Sequence, residues 1–417
     1  MSAGDVGGAG GRSIPWGDVQ RPALLIGAVG LGACVVAGLV PAVGPRVVLP
    51  AYLVAYLFWI GIALGSLSLT MLHRLVGGTW GLPTRRPMEA AALTLPVLAL
   101  LFVPLLFGLP DLYPWARPGA PAALHKHGYL TVNWFLARLV VYFAVWIVLA
   151  LLMSRWSLRQ DRTTDPGASR PAQNLAGPGL GALFLTASFA MIDWVMSLEP
   201  EWFSSIYGAM LIMGMGLATF AAMILVTSWL VRTGPPSYAE AATPGRINDL
   251  GNLQLAFTML WAYLSFSQFL LIWCGNLAEE IPWYLRRTRG GWQYVVMALM
   301  LFHFFVPFFA LLFRDVKRGL NGLRIVAMSL LVMHLVDLAW LVLPASVRNP
   351  LAASAADRPG IPWLTLLFVV AATAGVGGVW VAAFLQNLKG KPLVPENDPG
   401  IDVEAEAEHG PREEGGH

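Results

Sequence analysis

Residues 48–76 read VLPAYLVAYLFWIGIALGSLSLTMLHRLV, and this stretch decides the fold class. It contains no Asp, Glu, Lys or Arg before Arg74. About 20 apolar residues suffice for a helix to cross a bilayer, so this stretch is long enough to span while tilted or protruding. It also lacks the alternation of apolar and polar residues that marks a strand of a membrane barrel. The stretch therefore predicts a membrane-spanning helix.

The rest of the chain has the same character. Of its 417 residues, 57% are hydrophobic and 12% are charged, whereas soluble domains carry about 25% charged residues. The formal net charge of +3 gives no indication of a nucleic-acid partner, and we expect none. Cys34 and Cys274, the two cysteines, have no CxxC or CxxCH neighbour. We therefore expect no disulfide framework, thiolate-held iron–sulfur cluster or c-type haem.

Ten apolar runs are long enough to cross a bilayer. Only helices and closed barrels satisfy their backbone polar groups in hydrocarbon, so these runs predict an all-α polytopic membrane protein with about ten transmembrane helices. The predicted spans are 22–43, 48–76, 88–109, 132–154, 177–198, 203–233, 249–279, 291–314, 323–344 and 362–388.

The distribution of Lys and Arg gives the orientation, because cytoplasmic loops carry an excess of both. With the N-terminus inside, 18 of the 27 Lys and Arg residues fall in inside segments, 8 in outside loops and Arg138 within a span. Arg286, Arg287 and Arg289 oppose this assignment, since they share one outside loop. The overall balance predicts that both termini are cytoplasmic.

A faint internal repeat suggests how the helices group. Asp193 in the fifth span precedes Pro200 by seven residues, and Asp337 in the ninth span precedes Pro344 by the same seven. The two helices are four apart and would run in the same direction, which favours a parallel repeat. We predict two four-helix bundles plus a flanking helix at each end. The segments are 1–21 (cytoplasmic), 22–47 (first flanking helix), 48–200 and 201–345 (bundles), 346–388 (outer loop and last helix) and 389–417 (acidic, disordered cytoplasmic tail).

Ionisable residues at bilayer depth are costly, so each one is a functional candidate. Arg138 in the fourth span and Asp193 in the fifth both fall within about 10 Å of the outer surface, at 1.5 Å per residue. Consecutive helices are usually neighbours, which predicts a buried ion pair. Such a pair either locks the packing or sets the proton affinity of a carboxylate near a quinol hydroxyl.

His303 in the eighth span and His334 in the ninth are expected at similar depth. Two histidines on adjacent helices could hold a b-type haem, although a buried histidine more often packs through a hydrogen bond or carries a proton. Asp337 lies three residues after His334 on the same helical face, which suits a proton relay.

A third group lies toward the inside and consists of His73, Glu89 and Asp249. Gln254 and Gln268 follow along the seventh span. Charges at helix ends are ordinary, but together with the deeper residues these could mark a water-filled entry for protons.

The outer loops carry acids with no evident partner. Glu199 and Glu201 follow the fifth span, and Glu279 and Glu280 follow the seventh. Aromatic residues beside them fit an interfacial belt. The acids could accept protons released outward or dock another subunit.

Five groups of residues between positions 120 and 345 form a pattern that, taken together, is specific for one protein family. They are Tyr129-Leu130 with Asn133 and Phe135-Leu136-Ala137-Arg138; Arg155-Trp156-Ser157 with Gln160-Asp161; Asp193-Trp194-Val195-Met196-Ser197-Leu198-Glu199-Pro200 with Trp202-Phe203-Ser204; Asp249-Leu250-Gly251-Asn252 with Trp261-Ala262-Tyr263 and Ser267-Gln268-Phe269; and Glu279-Glu280-Ile281-Pro282-Trp283-Tyr284. This set resembles the ActF-type subunits of alternative complex III, the bacterial quinol:cytochrome c oxidoreductase. Those subunits belong to the NrfD/PsrC-like family of membrane proteins.

The resemblance implies a subunit of the bacterial inner (cytoplasmic) membrane, within a complex of the respiratory chain. Its partners would be a paralogous NrfD-like membrane subunit, an iron–sulfur/molybdopterin-like extrinsic subunit, haem c subunits and membrane lipids. In that family, quinol oxidation is assigned more firmly to the paralogue. This chain would bind no cofactor of its own and would not be catalytic alone. It would supply a proton path and a quinone pocket, with Asp193 and Arg138 matching the quinone-side motif.

Three other functions stay open at this point. A secondary transporter would need helices broken at matching positions of the two halves, and Pro96, Pro104 and Pro307 do not match in that way. A b-type cytochrome subunit would use His303 and His334 as haem ligands. A purely structural membrane anchor would need its buried acids only for assembly.

Overall fold

The computed structural model describes residues 14–163, 165–346 and 361–395. The predicted acidic tail beyond residue 395, most of the predicted N-terminal segment and much of the loop after the ninth span lie outside the described residues. Within the described residues the chain is helical and contains no strand. The all-α class predicted from the sequence is confirmed.

Ten helices are long and apolar enough to cross a membrane, as predicted. We number them α1 to α10. Their bounds are Trp16–Leu39, Pro45–Val76, Gly81–Phe107, Val132–Gln160, Arg170–Trp194, Tyr207–Thr233, Pro244–Gly275, Trp292–Leu312, Leu320–Ser346 and Trp363–Leu388. Following the predicted orientation, the end that carries the start of α4 and the end of α5 is named the outer end.

Several helices extend beyond the predicted apolar runs, because polar side chains continue the helix past the hydrocarbon region. Thr243 caps α7 by accepting the backbone N–H of Arg246, and Pro244 occupies its first turn. At the other end, Asn276 in the left-handed conformation closes α7 earlier than predicted. The last turn of α4 is held by Gln160, which accepts hydrogen bonds from arginines on α2 and α3.

Two helices depart from a regular α-helix. The third predicted span is interrupted near Thr94 and Phe102, each just before a proline, Pro96 and Pro104. Proline lacks an N–H and crowds the preceding turn, so these breaks follow from the sequence. In α8, residues Leu299–Phe305 form a π-helix. π-Helical turns are rare and occur frequently at functional sites.

Helices α2 and α6 form the centre of the molecule and are almost entirely buried. They cross closely at Gly65, where a Cβ atom would lie 2.8 Å from the Met215 carbonyl oxygen. Helices α3 and α5 contact α2, and α4 packs against α5. Helices α7 and α9 contact α6, with α8 beside α7 and α9. Helices α1 and α10 pack against each other and against α2. The first set is called the α2–α5 group below, and the second the α6–α9 group.

Candidate functional site

An ion pair joins α4 to α5 near the outer end. Arg138 donates from Nε to Asp193 Oδ2 over 2.8 Å and from Nη2 to Asp193 Oδ1 over 3.0 Å. The Tyr142 hydroxyl also donates to Asp193 Oδ2, over 2.8 Å, and Asp193 is fully buried. The ion pair predicted from the sequence is present, and Tyr142 is a further partner that the sequence reasoning missed.

Tyr129, just before α4, covers this pair. The guanidinium carbon of Arg138 lies 3.9 Å from the centroid of the Tyr129 ring, and Arg138 Nη1 donates to the Tyr129 carbonyl oxygen over 3.0 Å. The Tyr129 hydroxyl is buried and forms no hydrogen bond of normal length, but it interacts with the Asp193 carboxylate and the Tyr142 hydroxyl. Burial, and next the negative charge of Asp193, raise the pKa of Tyr129. The hydroxyl therefore keeps its proton at neutral pH and can donate a hydrogen bond to a ligand.

A cleft with a volume of 290 Å³ lies beside Tyr129. Small-molecule sites begin at about 300 Å³, so the cleft suits one flat ring system. Its lining is mainly apolar, with Tyr129, Ser197 and Lys126 as polar members. The lining residues are Lys126, Tyr129, Leu130, Ile192, Met196, Ser197, Pro200, Trp202 and Phe203. The backbone links the cleft to the ion pair, because Ser197 donates its hydroxyl to the carbonyl oxygen of Asp193.

The two acids of the loop after α5 differ in their surroundings. Glu199 is buried and forms ion pairs with Arg286 and Arg287, while Glu201 is exposed. Arg286 and Arg287 are thus partners of a buried acid, but they still count against the predicted orientation, because the positive-inside rule counts Lys and Arg and not net charge. Opposite charges in two neighbouring outer loops are the signal in the sequence that points to this contact.

A second buried group lies inside the α6–α9 group. Trp261 on α7 donates from Nε1 to Asp337 Oδ2 over 3.1 Å, and its ring centroid lies 4.1 Å from that of His303. The rings of His303 and His334 are 6.2 Å apart, and all four side chains are buried. The structure therefore brings His303, His334 and Asp337 together. Trp261, which the sequence reasoning missed, connects Asp337 to His303.

The surroundings of the two imidazoles bear on their role. His303 lies in the π-helix, and neither ring nitrogen of His303 or His334 has a hydrogen-bond partner among the described residues. Trp261 packs against His303, and a Cβ atom at Gly214 would lie 3.0 Å from His334 Cε1. A porphyrin between the rings would have to displace these close neighbours. The contacts fit packing or proton carriage better than axial ligation of haem.

At the inner end, Glu89 belongs to a buried ion network. It accepts hydrogen bonds from Arg85 Nε over 3.3 Å and from Arg86 Nη1 over 2.8 Å, and Arg86 also pairs with Asp161 at the end of α4. Arg86 Nη1 additionally donates to the Ser157 hydroxyl over 3.0 Å. This network ties α3 to α4.

The other inner candidates lie apart from that network. His73 Nε2 is 2.9 Å from the Gly78 carbonyl oxygen, and its ring meets that of Trp80 edge-on. Asp249 on α7 is half-buried and forms no hydrogen bond or ion pair with any described residue. The structure thus does not join Asp249 to His73 or Glu89 through a polar contact. Gln268 lies toward the outer end and accepts a hydrogen bond from Ser204.

The part of the chain that the structure describes contains no group of three or more His, Cys, Asp or Glu side chains that could hold a metal ion. No protein-family model and no curated sequence matches the chain. The functional argument therefore rests on the geometry of the outer cleft and of the two buried polar groups.

Proposed function

We propose that this chain is an integral membrane subunit of a quinol:cytochrome c oxidoreductase complex of the alternative complex III type. The proposal rests chiefly on one observation: the buried carboxylate of Asp193, held by Arg138 and Tyr142, lies beside an apolar cleft lined by Tyr129, whose hydroxyl also interacts with that carboxylate. A quinol needs a slot for its ring, a hydrogen-bond partner for its oxygen and a nearby base for its proton.

In this proposal the head group of the quinol occupies the cleft, and Tyr129 hydrogen-bonds to a ring oxygen. Oxidation of quinol to quinone releases two protons and two electrons. Asp193 accepts one of these protons, while Arg138 and Tyr142 hold the carboxylate in place, and the other proton passes to water at the outer face. The electrons leave through redox groups of other subunits. This chain binds no cofactor of its own and provides binding and proton movement only.

The group of Trp261, His303, His334 and Asp337 supplies a proton relay deeper in the membrane. Imidazole and carboxylate side chains exchange protons readily, and this group is enclosed by helices. Glu89 and His73 mark the inner end of the path. Gln268 serves the outer loop, and Asp249 stays a candidate for the inner entry.

The partners in this proposal are those that the resemblance implies: a paralogous NrfD-like membrane subunit, an iron–sulfur/molybdopterin-like extrinsic subunit and haem c subunits. The complex sits in the bacterial inner membrane, with both termini of this chain cytoplasmic. The positive-inside balance supports that orientation.

A transporter has less support. Alternating-access transporters of the repeat type carry broken helices at matching positions of the two halves. Here α3 is interrupted at Thr94 and Phe102, whereas its counterpart four helices later, α7, runs unbroken from Pro244 to Gly275. A structural anchor remains as the alternative that the following experiment decides.

The test is Asp193→Asn in the assembled complex. We expect at least about a hundred-fold loss of quinol:cytochrome c turnover, the range typical for removal of a positioned base. Co-purification of the partner subunits reports assembly separately. Asp111→Asn is the matched control, because Asp111 also pairs with an arginine at the outer end but is exposed. Unchanged turnover and proton release in a fully assembled Asp193→Asn complex would leave only the anchor function.

A further inference from the structure

The loop 199–206 forms part of the wall of the outer cleft, yet it is held by the α6–α9 group. Its residues Pro200, Trp202 and Phe203 line the cleft. Trp202 stacks on Trp283 with ring centroids 4.6 Å apart and an interplanar angle of 15°. Ser204 donates a hydrogen bond to Gln268 on α7. Position and shape of this wall therefore depend on residues that are distant in sequence.

Arg287 lies at the centre of these contacts. Its Nη2 atom is 2.8 Å from Glu199 Oε2 and 2.8 Å from the carbonyl oxygen of Leu341 on α9. Its Nη1 atom donates to the Trp283 carbonyl oxygen over 3.2 Å, and its guanidinium carbon lies 3.7 Å from the centroid of the Trp283 ring. Arg287 is only 1% exposed and Glu199 only 3%.

This arrangement connects the cleft wall to the second buried group through one side chain. Glu199 begins the loop that lines the cleft, and Leu341 lies one helical turn after Asp337 on α9. A buried guanidinium with several donors has little freedom to move unless all its partners move with it. Arg286, by contrast, contacts Glu199 alone among these groups and is 26% exposed.

We propose that Arg287 is a positioning residue for the outer cleft: through Glu199 it holds the loop 199–206 against the α6–α9 group and so keeps this wall of the cleft in place. The position of the wall is a property of this chain, whereas the identity of the ligand rests on the proposed function. Arg287 touches no reacting atom. It sets the shape of the cleft, and it transmits a movement of the wall to α9 through Leu341.

The test uses a thiol introduced by Ser197→Cys, an isosteric change at a cleft residue that is 4% exposed. Cys274 is first replaced by Ser because it is exposed, whereas the buried Cys34 stays. The rate of maleimide labelling of the purified protein in detergent then measures how often the cleft opens. In the Arg287→Gln variant we expect labelling at least about ten-fold faster, because loss of one partner of a buried ion pair favours local opening.

Three further variants make the result decisive. Arg286→Gln is the matched control, with an expected change below about two-fold, since partly exposed ion pairs contribute little. The double variant Glu199→Gln/Arg287→Gln removes both charges of this pair. It takes the place of Arg287→Gln in the test if that single variant does not fold. It should also label faster. Arg287→Lys should fall in between, because an ammonium cannot bond Glu199, Leu341 and Trp283 together.

Wild-type labelling rates in the folded double variant, or equal effects of Arg286→Gln and Arg287→Gln, would overturn the assignment to Arg287. A separate arm adds decylubiquinone. If decylubiquinone protects the thiol in the wild-type background and a ten-fold higher concentration is needed in Arg287→Gln, both the positioning role of Arg287 and the ligand class are supported. If the labelling rate rises in Arg287→Gln but decylubiquinone never protects the thiol, the positioning role of Arg287 stands and the proposed quinone function fails. In the assembled complex, a positioning role raises the KM for quinol more than it lowers kcat.

Discussion

Asp193 is a buried carboxylate, and its ion-pair partner Arg138 and hydrogen-bond partner Tyr142 both lie on α4. Asp193→Ala leaves Arg138 in a partly buried site without its counter-ion. We expect the free energy of unfolding to fall by about 3–5 kcal/mol, the usual cost of breaking a buried pair. Denaturant titration of the purified protein, followed by tryptophan fluorescence, measures the change.

The matched variant for this prediction is Arg138→Met/Asp193→Leu, which replaces both charges with apolar groups of similar size. It should recover most of the lost stability, since an uncharged pair has no desolvation penalty. It should not recover quinol turnover. Recovery of both would mean that the pair acts only in packing.

Removal of the Tyr129 hydroxyl should weaken ligand binding without lowering the stability of the protein. The hydroxyl forms no hydrogen bond of normal length, so Tyr129→Phe should leave the melting temperature nearly unchanged. If the hydroxyl bonds to a quinone, the affinity for decylubiquinone should fall about three- to ten-fold, the effect of one lost hydrogen bond. Fluorescence quenching by the quinone reports the affinity, and thermal unfolding reports the stability.

Tyr113→Phe is the control, because the Tyr113 hydroxyl donates to the Trp194 carbonyl oxygen over 2.9 Å and Tyr113 does not line the cleft. The same atom is deleted, but here a formed hydrogen bond is lost. This variant should lower the melting temperature and keep the affinity. A pattern in which Tyr129→Phe destabilises and Tyr113→Phe weakens binding would contradict the assignment of Tyr129.

The sequence predicts how deep a residue lies in the membrane, but it does not predict which residue of another helix it contacts. Arg138 and Asp193 were predictable as a pair because both lie at the same depth on consecutive helices. Trp261 and Arg287 were not, since each contacts α9, which does not follow its own helix directly in the chain. An indole also carries no charge, so the hydrophobicity pattern alone places Trp261 either against lipid or in the protein core.

Among the elements, α1 is held chiefly by its close approach to α10. It is largely exposed and packs mainly against α10. At Gly30 a Cβ atom would lie 2.6 Å from the Ala371 carbonyl oxygen and 2.7 Å from Gly375 Cα. Gly30→Val should therefore separate the two helices, with an overpacking cost of about 1–3 kcal/mol.

Gly32→Val is the matched control, because a Cβ atom at Gly32 would meet nothing within 4 Å. The readout is crosslinking between thiols introduced by Gln20→Cys and Gln386→Cys, whose native side chains are 3.4 Å apart. Crosslinking with a short bismaleimide should be lost in Gly30→Val and retained in Gly32→Val. Equal crosslinking in both variants would show that α1 is held by other contacts.

The elements also show where pattern reasoning stops. Apolar length predicted all ten membrane helices, because the bilayer imposes it. It did not predict where they end, since Thr243 and Gln160 extend helices through polar contacts at the interface. Apolar length also does not predict the π-helix around His303, because a π-turn differs from an α-turn in hydrogen bonding and not in composition.

For the whole molecule, the loop 199–206 changes the meaning of the predicted two-bundle plan. The repeat in the sequence treats residues 48–200 and 201–345 as separate units. In the structure α2 packs on α6, and the loop between α5 and α6 lines the outer cleft while it contacts Trp283 and Gln268. A change at the cleft is therefore passed to the α6–α9 group through this loop, because its residues line a cleft shared with the first unit and contact side chains of the second.

Orientation is the remaining property of the whole molecule, and the three arginines of one predicted outer loop make it the prediction that most needs a test. Arg286 and Arg287 pair with Glu199, but the positive-inside rule counts Lys and Arg whatever their partners. We expect a thiol introduced by Glu279→Cys, in a Cys274→Ser background, to react with a membrane-impermeant maleimide in intact spheroplasts. A thiol introduced by Asp315→Cys should react only after the membrane is permeabilised. Both side chains are exposed, at opposite ends of the helices. The reverse labelling pattern would invert the protein, and the cleft of Tyr129 and Asp193 would then release its protons into the cytoplasm instead of outward.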